Sequence, residues 1–218
     1  MKSRCKKILI ICLTMILCFI VAVPVYAELF DECGTIVEKY DYKFNAETGH
    51  LTIGKSIENK KIEDIVPVCK NEIKTITIND GVTSICSQAF TGCRRLTSIT
   101  IPDSVISIGE SAFSKCTSLT SVNFGNGVKD IGKLAFAECK RLPSITIPDS
   151  VISIDESAFS TCIRLTSVNF GNGIKRIGRL AFAKCKSLNS ISAPSSMVSI
   201  GEGAFGKSTN VFSEYIFH

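Results

Sequence analysis

The stretch Leu96–Cys116, "LTSITIPDSVISIGESAFSKC", decides the fold of this chain because its pattern returns at a fixed step. An Ala-Phe pair recurs every 23 residues without insertion, and its phenylalanines are Phe90, Phe113, Phe136, Phe159, Phe182 and Phe205. Columns of Ile, Leu and Cys keep the same step. A short fixed period is typical of a solenoid, in which each repeat contacts only its neighbours. The sequence therefore predicts one elongated array of rungs.

Each rung divides into three pieces by its own chemistry. Ile99 and Ile101 alternate with polar residues, which predicts a strand with one buried face. The Pro-Asp-Ser triplet that begins at Pro102 predicts a turn, and Val105 and Ile108 bracket a second short extended piece. The segment "GESAFSKC" has the composition of a single helical turn. We therefore expect an α/β solenoid, a right-handed coil with a main parallel sheet, a second sheet of short strands and helical or 3₁₀ corners.

A longer repeat of two rungs lies over the short one. Residues 101–146 match residues 147–192 at 35 of 46 positions. Rungs turn alternately with Pro-Asp-Ser and with Gly-Asn-Gly, and we attribute the glycines to their tolerance of positive φ. Charges alternate in one column, which predicts ion pairs that hold the register of neighbouring rungs. That column consists of Glu110, Lys133, Glu156, Arg179 and Glu202.

These repeats resemble the BspA-like leucine-rich repeat family, through Ile-Gly, Ala-Phe and Cys at fixed offsets of a 23-residue step over residues 73–208. The upstream segment "CGTIVEKYDYKFNAETGHLTIG" at 33–54 is similar to the segment that opens such arrays, except that it lacks a Trp. The resemblance implies a leucine-rich repeat coil with an N-terminal β-hairpin cap. It also implies a secreted or surface-displayed protein that binds other proteins, including host or neighbouring-cell components.

The first 27 residues have the pattern of a signal peptide. Four basic residues precede the apolar run 8–23, and Pro24-Val25-Tyr26-Ala27 ends in a small residue. An uncleaved membrane anchor is the alternative, because the run is close to the length that spans a bilayer. We predict a signal peptide at 1–27, a capping module at 28–72, six rungs at 73–208 and a final cap strand at 209–218. The absence of a wall-sorting motif favours free secretion over covalent attachment.

The exported segment is nearly neutral, because 21 Lys and Arg remain against 20 Asp and Glu. That balance disfavours nucleic acid as a partner. Only His50 and His218 carry imidazoles, and no acid pair, catalytic triad or phosphate loop recurs. We therefore expect no enzymatic activity, no cofactor and no metal.

Five cysteines share one column, and their equivalence predicts buried free thiols packed beside phenylalanines. Disulfides are the alternative in an exported protein. Stacked side chains that point in parallel do not converge as a disulfide requires, and the column has an odd number of members. Cys33 and Cys69 are the better candidates for a bond. The column consists of Cys93, Cys116, Cys139, Cys162 and Cys185.

The outward positions of the main strands carry short polar side chains, which lose little entropy when a flat surface binds a partner. Arginines form a basic stripe beside them that suits acidic protein or polysaccharide. The candidate binding residues are Thr97, Ser98, Thr100, Thr120, Ser121, Asn123, Thr166, Ser167, Asn169, Arg95, Arg141 and Arg164. We expect a secreted or cell-surface monomer that binds extracellular protein and no membrane after cleavage. A structural solenoid that binds carbohydrate or another surface polymer is the alternative.

Overall fold

The computed structural model of the protein describes residues 42–54, 70–192 and 194–206. Within these residues the chain forms β-strands and no helix, and it builds a parallel-strand solenoid of about six turns in which longer and two-residue strands alternate. The longer strands are β1 (Tyr42–Asn45), β2 (His50–Ile53), β3 (Thr75–Ile78), β5 (Ser98–Ile101), β7 (Ser121–Phe124), β9 (Ser144–Ile147), β11 (Ser167–Phe170) and β13 (Ser190–Ser192). The short strands are β4 (Ser84–Ile85), β6 (Ser107–Ile108), β8 (Asp130–Ile131), β10 (Ser153–Ile154), β12 (Arg176–Ile177) and β14 (Ser199–Ile200).

The stack begins with an antiparallel pair of strands. β1 pairs with β2 across a turn in which the Gly49 N–H donates to the Asn45 carbonyl at 2.8 Å. β2 then pairs with β3 in parallel, so it takes the place of a rung strand. The predicted signal segment and cap strand lie outside the described residues, as do residues 28–41 and 55–69 of the predicted capping module and the candidate cysteines within them.

The main sheet is in register at the predicted step of 23 residues. Ser98 faces Ser121 between β5 and β7, and Ser144 faces Ser167 between β9 and β11. Buried and exposed residues alternate along each strand, which is the pattern of a sheet with one face on the core. The short strands β4 to β14 form a second, continuous parallel sheet of six strands.

The main sheet is interrupted between β7 and β9, which lie side by side without strand pairing. The residue before a main strand usually donates its N–H to the equivalent carbonyl of the preceding rung. Before β7 the Thr120 N–H donates to the Thr97 carbonyl at 2.8 Å, and before β11 the Thr166 N–H donates to the Pro143 carbonyl at 2.8 Å. Pro143 has no N–H and cannot repeat this bond to the preceding rung. One proline thus divides the sheet into a five-stranded and a three-stranded part.

The prediction of helical or 3₁₀ corners is wrong, because the segment 109–116 is a chain of tight turns. The N–H groups of Ser111, Phe113 and Lys115 donate to carbonyls of the next rung at 2.7 to 2.8 Å. The N–H groups between them close turns onto the carbonyl three residues back. Ser111 and Lys115 have φ values of 57° and 60°. These left-handed residues turn alternate N–H groups out of the rung, whereas a helix would direct all of them back along its own axis.

Glycine occurs in the Gly-Asn-Gly turns because of close approach between rungs, and not because of the positive φ that we expected. Neither Gly171 nor Gly173 has positive φ. A Cβ atom on Gly173 would lie 1.8 Å from the Asp149 carbonyl oxygen, in the Pro-Asp-Ser turn of the preceding rung. The Asp149 carboxylate in turn accepts the Asn172 N–H at 2.7 Å. The two turn types therefore fit together as a pair.

The core consists of columns that run along the solenoid axis. Five of the six column phenylalanines are fully buried, and successive rings stack with centroids 5.1 to 5.3 Å apart. Phe124 and Phe170 add edge contacts to this stack from the main sheet. Because each ring fills the space between two others, every rung depends on its neighbours for a complete core.

Replacing Thr161 by glycine is expected to stabilise the protein. Thr161 has a φ of 63°, and the first rung carries Gly92 at the equivalent position, with a φ of 76°. Left-handed φ costs a residue with a Cβ atom about 1 to 2 kcal/mol, whereas glycine loses about 0.5 to 1 kcal/mol of entropy. A net gain of up to about 1 kcal/mol should therefore appear in urea denaturation. Ser160→Gly changes the preceding residue, which does not have positive φ, and it should lower the stability of the protein. An equal loss of stability in both variants would contradict backbone strain at Thr161.

Candidate functional site

Strand pairing brings the predicted polar residues together on the outer face of the main sheet. Ser98 pairs with Ser121, and Thr100 pairs with Asn123. The third predicted set, which is Thr166, Ser167 and Asn169, lies two rungs further along. All nine are exposed or, for the serines at 121 and 167, half-buried.

The rung between these sets also belongs to the outer face, although the sequence analysis left it out. Ser144 and Thr146 in β9 are exposed, and they pair with Ser167 and Asn169. Counting the 23-residue step from Ser121 would have found them. We call the serines that follow one another on this face the serine column, which consists of Ser98, Ser121, Ser144, Ser167 and Ser190.

Threonine and serine hydroxyls on this face differ in what they bind. Thr97, Thr120 and Thr166 each donate a hydroxyl proton to a backbone carbonyl of the preceding rung, at 2.9 to 3.3 Å. These hydroxyls reinforce the stacking of the rungs. Within the described ranges, no hydroxyl of the serine column has a hydrogen-bond partner in the protein. The serine hydroxyls are therefore available to a ligand.

The predicted basic stripe exists, and its arginines differ in charge compensation. Arg95 forms an ion pair with Glu72 at 2.8 Å. Arg141 and Arg164 are exposed on neighbouring rungs, and neither forms an ion pair with any residue that the structure describes. Two like charges about 4.8 Å apart along a stack repel one another, so an anion between them would be bound favourably.

A second exposed surface, the Ile/Lys row, was missed by the sequence analysis. Isoleucine and lysine alternate on it from rung to rung, at the residue directly before each short strand from β6 to β14, and valine takes the last position. It consists of Ile106, Lys129, Ile152, Lys175 and Val198. The side chains of Ile106, Ile152 and Val198 are 52%, 42% and 79% exposed. The sequence signal is the apolar residue that follows Val105 and Val151. From sequence alone this residue would be assigned to the core, and only the structure shows that it is exposed.

The alternating charge column forms the expected ladder over its later rungs. Glu156 lies 3.3 Å from Lys133 and 4.0 Å from Arg179, which in turn lies 3.7 Å from Glu202. Exposed pairs of this kind contribute about 0.5 kcal/mol each. Their main effect is on register, because a shift by one rung would place like charges side by side.

The cysteine column faces the core, as predicted, and its five thiols are fully buried and form no disulfide within the described residues. Each thiol from Cys116 to Cys185 also donates a hydrogen bond to the carbonyl of the phenylalanine 26 residues earlier, at 3.2 to 3.3 Å. Burial raises the pKa of Cys139 from its ordinary value of 9.0 to about 12, and burial also raises the pKa of Cys116. A protonated, buried thiol is a poor nucleophile.

Alkaline pH is expected to destabilise the protein through these thiols. Thiols of the unfolded chain ionise above about pH 9, whereas the pKa of Cys139 in the folded protein is about 12. The stability that comes from the raised pKa is complete below pH 9 and is lost as the pH rises toward 12. Urea denaturation at about pH 8 and pH 10.5 should show a loss on the order of 1 to 2 kcal/mol for this thiol.

Cys139→Val is the control for this prediction, because it should remove part of the pH dependence while costing modest stability at neutral pH. A bulky maleimide should label the five buried thiols slowly in the native protein and fully after unfolding without reductant. Bridges between adjacent rungs, found by mass analysis, would contradict the assignment of free thiols.

Two features are absent from the residues that the structure describes. No group of three or more His, Cys, Asp or Glu side chains in ranges 42–54, 70–192 and 194–206 is arranged to hold a metal ion. No helix in those ranges is long and apolar enough to cross a membrane.

Comparison with known proteins gives the family. The model of the BspA type leucine-rich repeat region matches the chain in six copies, over residues 60–171 and 129–216. The chain belongs to this family. No curated protein sequence matches it.

Solved structures of bacterial leucine-rich repeat proteins are similar to this fold. A leucine-rich repeat protein of T. pallidum is 26% identical with a TM-score of 0.57, and the alignment covers 77% of this chain and 86% of that one. A leucine-rich cell surface protein of Faecalibacterium prausnitzii is 31% identical with a TM-score of 0.59, over 81% of this chain and 47% of that one. This chain therefore spans about half of the second protein.

Proposed function

We propose that the protein is a non-catalytic binding scaffold that acts outside the cell, secreted or displayed on the surface, and that binds other extracellular proteins as a monomer. Leucine-rich repeat families are typically interaction scaffolds, because stacked rungs present a long rigid surface. The signal-peptide pattern at 1–27 and the cell-surface description of the F. prausnitzii relative support the location. Host or neighbouring-cell surface proteins are the partners that this location offers.

The Ile/Lys row is the observation that carries the proposal of a protein partner. Exposed Ile106, Ile152 and Val198 recur every two rungs, with Lys129 and Lys175 between them. Apolar side chains that leave water supply the centre of a protein interface, and charges select the partner. A protein whose surface alternates apolar and acidic side chains along this row is the complementary partner.

The experiment compares two sets of substitutions in a pull-down with extracellular proteins of neighbouring or host cells. Ile106→Ser, Ile152→Ser and Val198→Ser together remove the apolar row, and Arg141→Ser with Arg164→Ser serves as a matched control on another face. We expect defined proteins to be retained by the wild type and by the control, and to be lost from the triple variant. Equal retention by both variants would overturn the assignment of the surface.

A second candidate function is the binding of a surface polymer, and the serine column favours it. The exposed strand positions of the main sheet carry Ser, Thr and Asn in place of the large apolar anchors that protein interfaces need. Free hydroxyls that repeat once per rung suit a hydroxyl-bearing chain such as a polysaccharide. Retention of the protein on polymer alone, with no protein partner, would favour this second function.

A further inference from the structure

One edge of the solenoid concentrates positive charge. We call it the basic edge, and it lies in the turns that lead from each column cysteine to the next main strand. In residues 91–97 and the equivalent segments of the next four rungs, eight basic side chains stand against one acidic side chain, Glu138. The basic residues are Arg94, Arg95, Lys115, Lys140, Arg141, Arg164, Lys184 and Lys186. This excess is local, because the exported segment as a whole is nearly neutral.

One column of the basic edge carries a cation every two rungs, whereas the edge as a whole has at least one basic side chain in each of these five rungs. In this column Lys140 forms an ion pair with Glu138 at 3.6 Å. Arg94, Lys140 and Lys186 are 46 residues apart in sequence, and Thr117 and Ile163 occupy the same position in the rungs between. Neighbouring rungs lie about 4.8 Å apart, so these cations recur about every 9.6 Å. The bond from the Lys115 N–H to the Ala137 carbonyl, at 2.8 Å, keeps the rungs in step where the main sheet is interrupted.

The serine column runs parallel to this edge and has the same two-rung alternation. Ser98, Ser144 and Ser190 are exposed, whereas Ser121 and Ser167 are half-buried. None of these hydroxyls has a hydrogen-bond partner within the part of the chain that the structure describes. A ligand that lies across the strands would therefore meet one cation of the Arg94, Lys140 and Lys186 column and one exposed hydroxyl for every two rungs.

We propose that the basic edge and the serine column together bind an anionic polysaccharide with one acidic group per disaccharide, extended along the solenoid axis. The proposal rests on the second candidate function and names its ligand class. An extended β-linked disaccharide has about the length of two rungs, so each acidic group meets a cation in turn. The sugar hydroxyls meet the serine column.

Acidic polypeptides fit this surface less well. An extended peptide repeats its side chains on one face about every 6.7 Å, out of step with the spacing of about 9.6 Å in the Arg94, Lys140 and Lys186 column. An α-helix has a closer repeat over two turns, about 10.8 Å, but it needs to bury an apolar stripe. The serine column presents hydroxyl groups to such a stripe. Among the described residues, Ile163 is the one large apolar side chain exposed beside it.

The test uses hyaluronan oligosaccharides, which carry one carboxylate per disaccharide, and the same oligosaccharides after carboxyl reduction. We expect calorimetric binding of the acidic form that weakens with added salt, and at least about tenfold weaker binding of the reduced form. Polyglutamate of similar length tests the other class of polyanion. Tighter binding of polyglutamate, or equal binding of the reduced sugar, would overturn the proposal.

Two variants with equal change of charge separate this edge from the rest of the surface. Lys140→Thr with Lys186→Thr introduces the residue found at Thr117, and it should weaken binding about tenfold at low salt. Lys129→Ser with Lys175→Ser removes two cations with the same two-rung spacing from the Ile/Lys row, and it should leave binding within about twofold. Equal losses in both would show an unspecific charge effect and refute the site.

The serine column is tested by Ser144→Val with Ser167→Val, since valine keeps the strand and removes the hydroxyls. We expect binding to weaken roughly threefold or more with unchanged salt dependence. Unchanged affinity would remove the serine column from the site. If no polysaccharide binds while the pull-down still retains a protein through the Ile/Lys row, this inference fails and the proposed protein-binding function stands.

Discussion

Replacing Phe136 by alanine is expected to lower the free energy of unfolding by about 3 to 5 kcal/mol. Phe136 is fully buried, with its ring stacked between those of Phe113 and Phe159 at 5.1 and 5.2 Å and met edge-on by Phe124 at 5.7 Å. Removing the ring loses its burial and leaves a cavity that the stacked rungs cannot close, because their spacing is fixed by backbone hydrogen bonds. Urea denaturation followed by far-ultraviolet circular dichroism measures the loss.

Phe136→Leu is the matched control for this prediction. Leucine fills most of the volume and should cost less than about 1.5 kcal/mol. An alanine variant with a wild-type denaturation curve would contradict the role of the phenylalanine column as the core. Repeat proteins are stabilised only by contacts between neighbouring rungs. If the substitution makes the two halves of the array unfold separately, the urea denaturation curve of the alanine variant should also have a different slope.

Replacing Gly173 by alanine is expected to be almost as damaging, at about 3 kcal/mol or more. The new Cβ atom would lie 1.8 Å from the Asp149 carbonyl oxygen and 3.2 Å from that of Val151. Both atoms belong to the backbone of the preceding rung, so neither can move without shifting the stack. Thermal and urea denaturation of the variant measure the cost.

Two comparisons test the cause of that loss. Asn172→Ala changes the exposed residue in the middle of the same turn and should stay within about 0.5 kcal/mol of wild type. Gly127→Ala repeats the clash two rungs earlier, where the Cβ atom would again lie 1.8 Å from a carbonyl oxygen, that of Asp103. A mild effect at both glycines would contradict the close approach between Pro-Asp-Ser and Gly-Asn-Gly turns.

The cysteine column and the outer face could be predicted from sequence because both follow from the 23-residue step. A fixed step brings equivalent residues side by side, so the buried row of Cys116, Cys139 and Cys162 follows once the step is known. The pairing of Ser98 with Ser121 follows in the same way. The hydrogen bond from each thiol to a phenylalanine carbonyl could not be predicted, because it depends on the path of the corner.

The corner itself was predicted wrongly for a reason of local conformation. The residues of "GESAFSKC" have helical propensity, yet Ser111 and Lys115 adopt left-handed φ. Neither residue favours that region by itself. The hydrogen bonds from alternate N–H groups to the next rung offset the cost, and those bonds exist only in the stack. Propensity within one rung could not reveal an interaction that needs two.

The sequence by itself determined the period, the inward columns, the register of the parallel strands and the family to which the chain belongs. Each of these depends on which side chains recur at a fixed step, and that can be read directly from the amino-acid sequence. Tertiary structure alone decided four features. They are the tight turns at the corners, the interruption of the main sheet at Pro143, the close approach of the preceding rung to the glycines of the Gly-Asn-Gly turns, and the exposure of Ile106 and Ile152. These features depend on backbone groups of adjacent rungs, whose distance and direction are set only when the rungs stack.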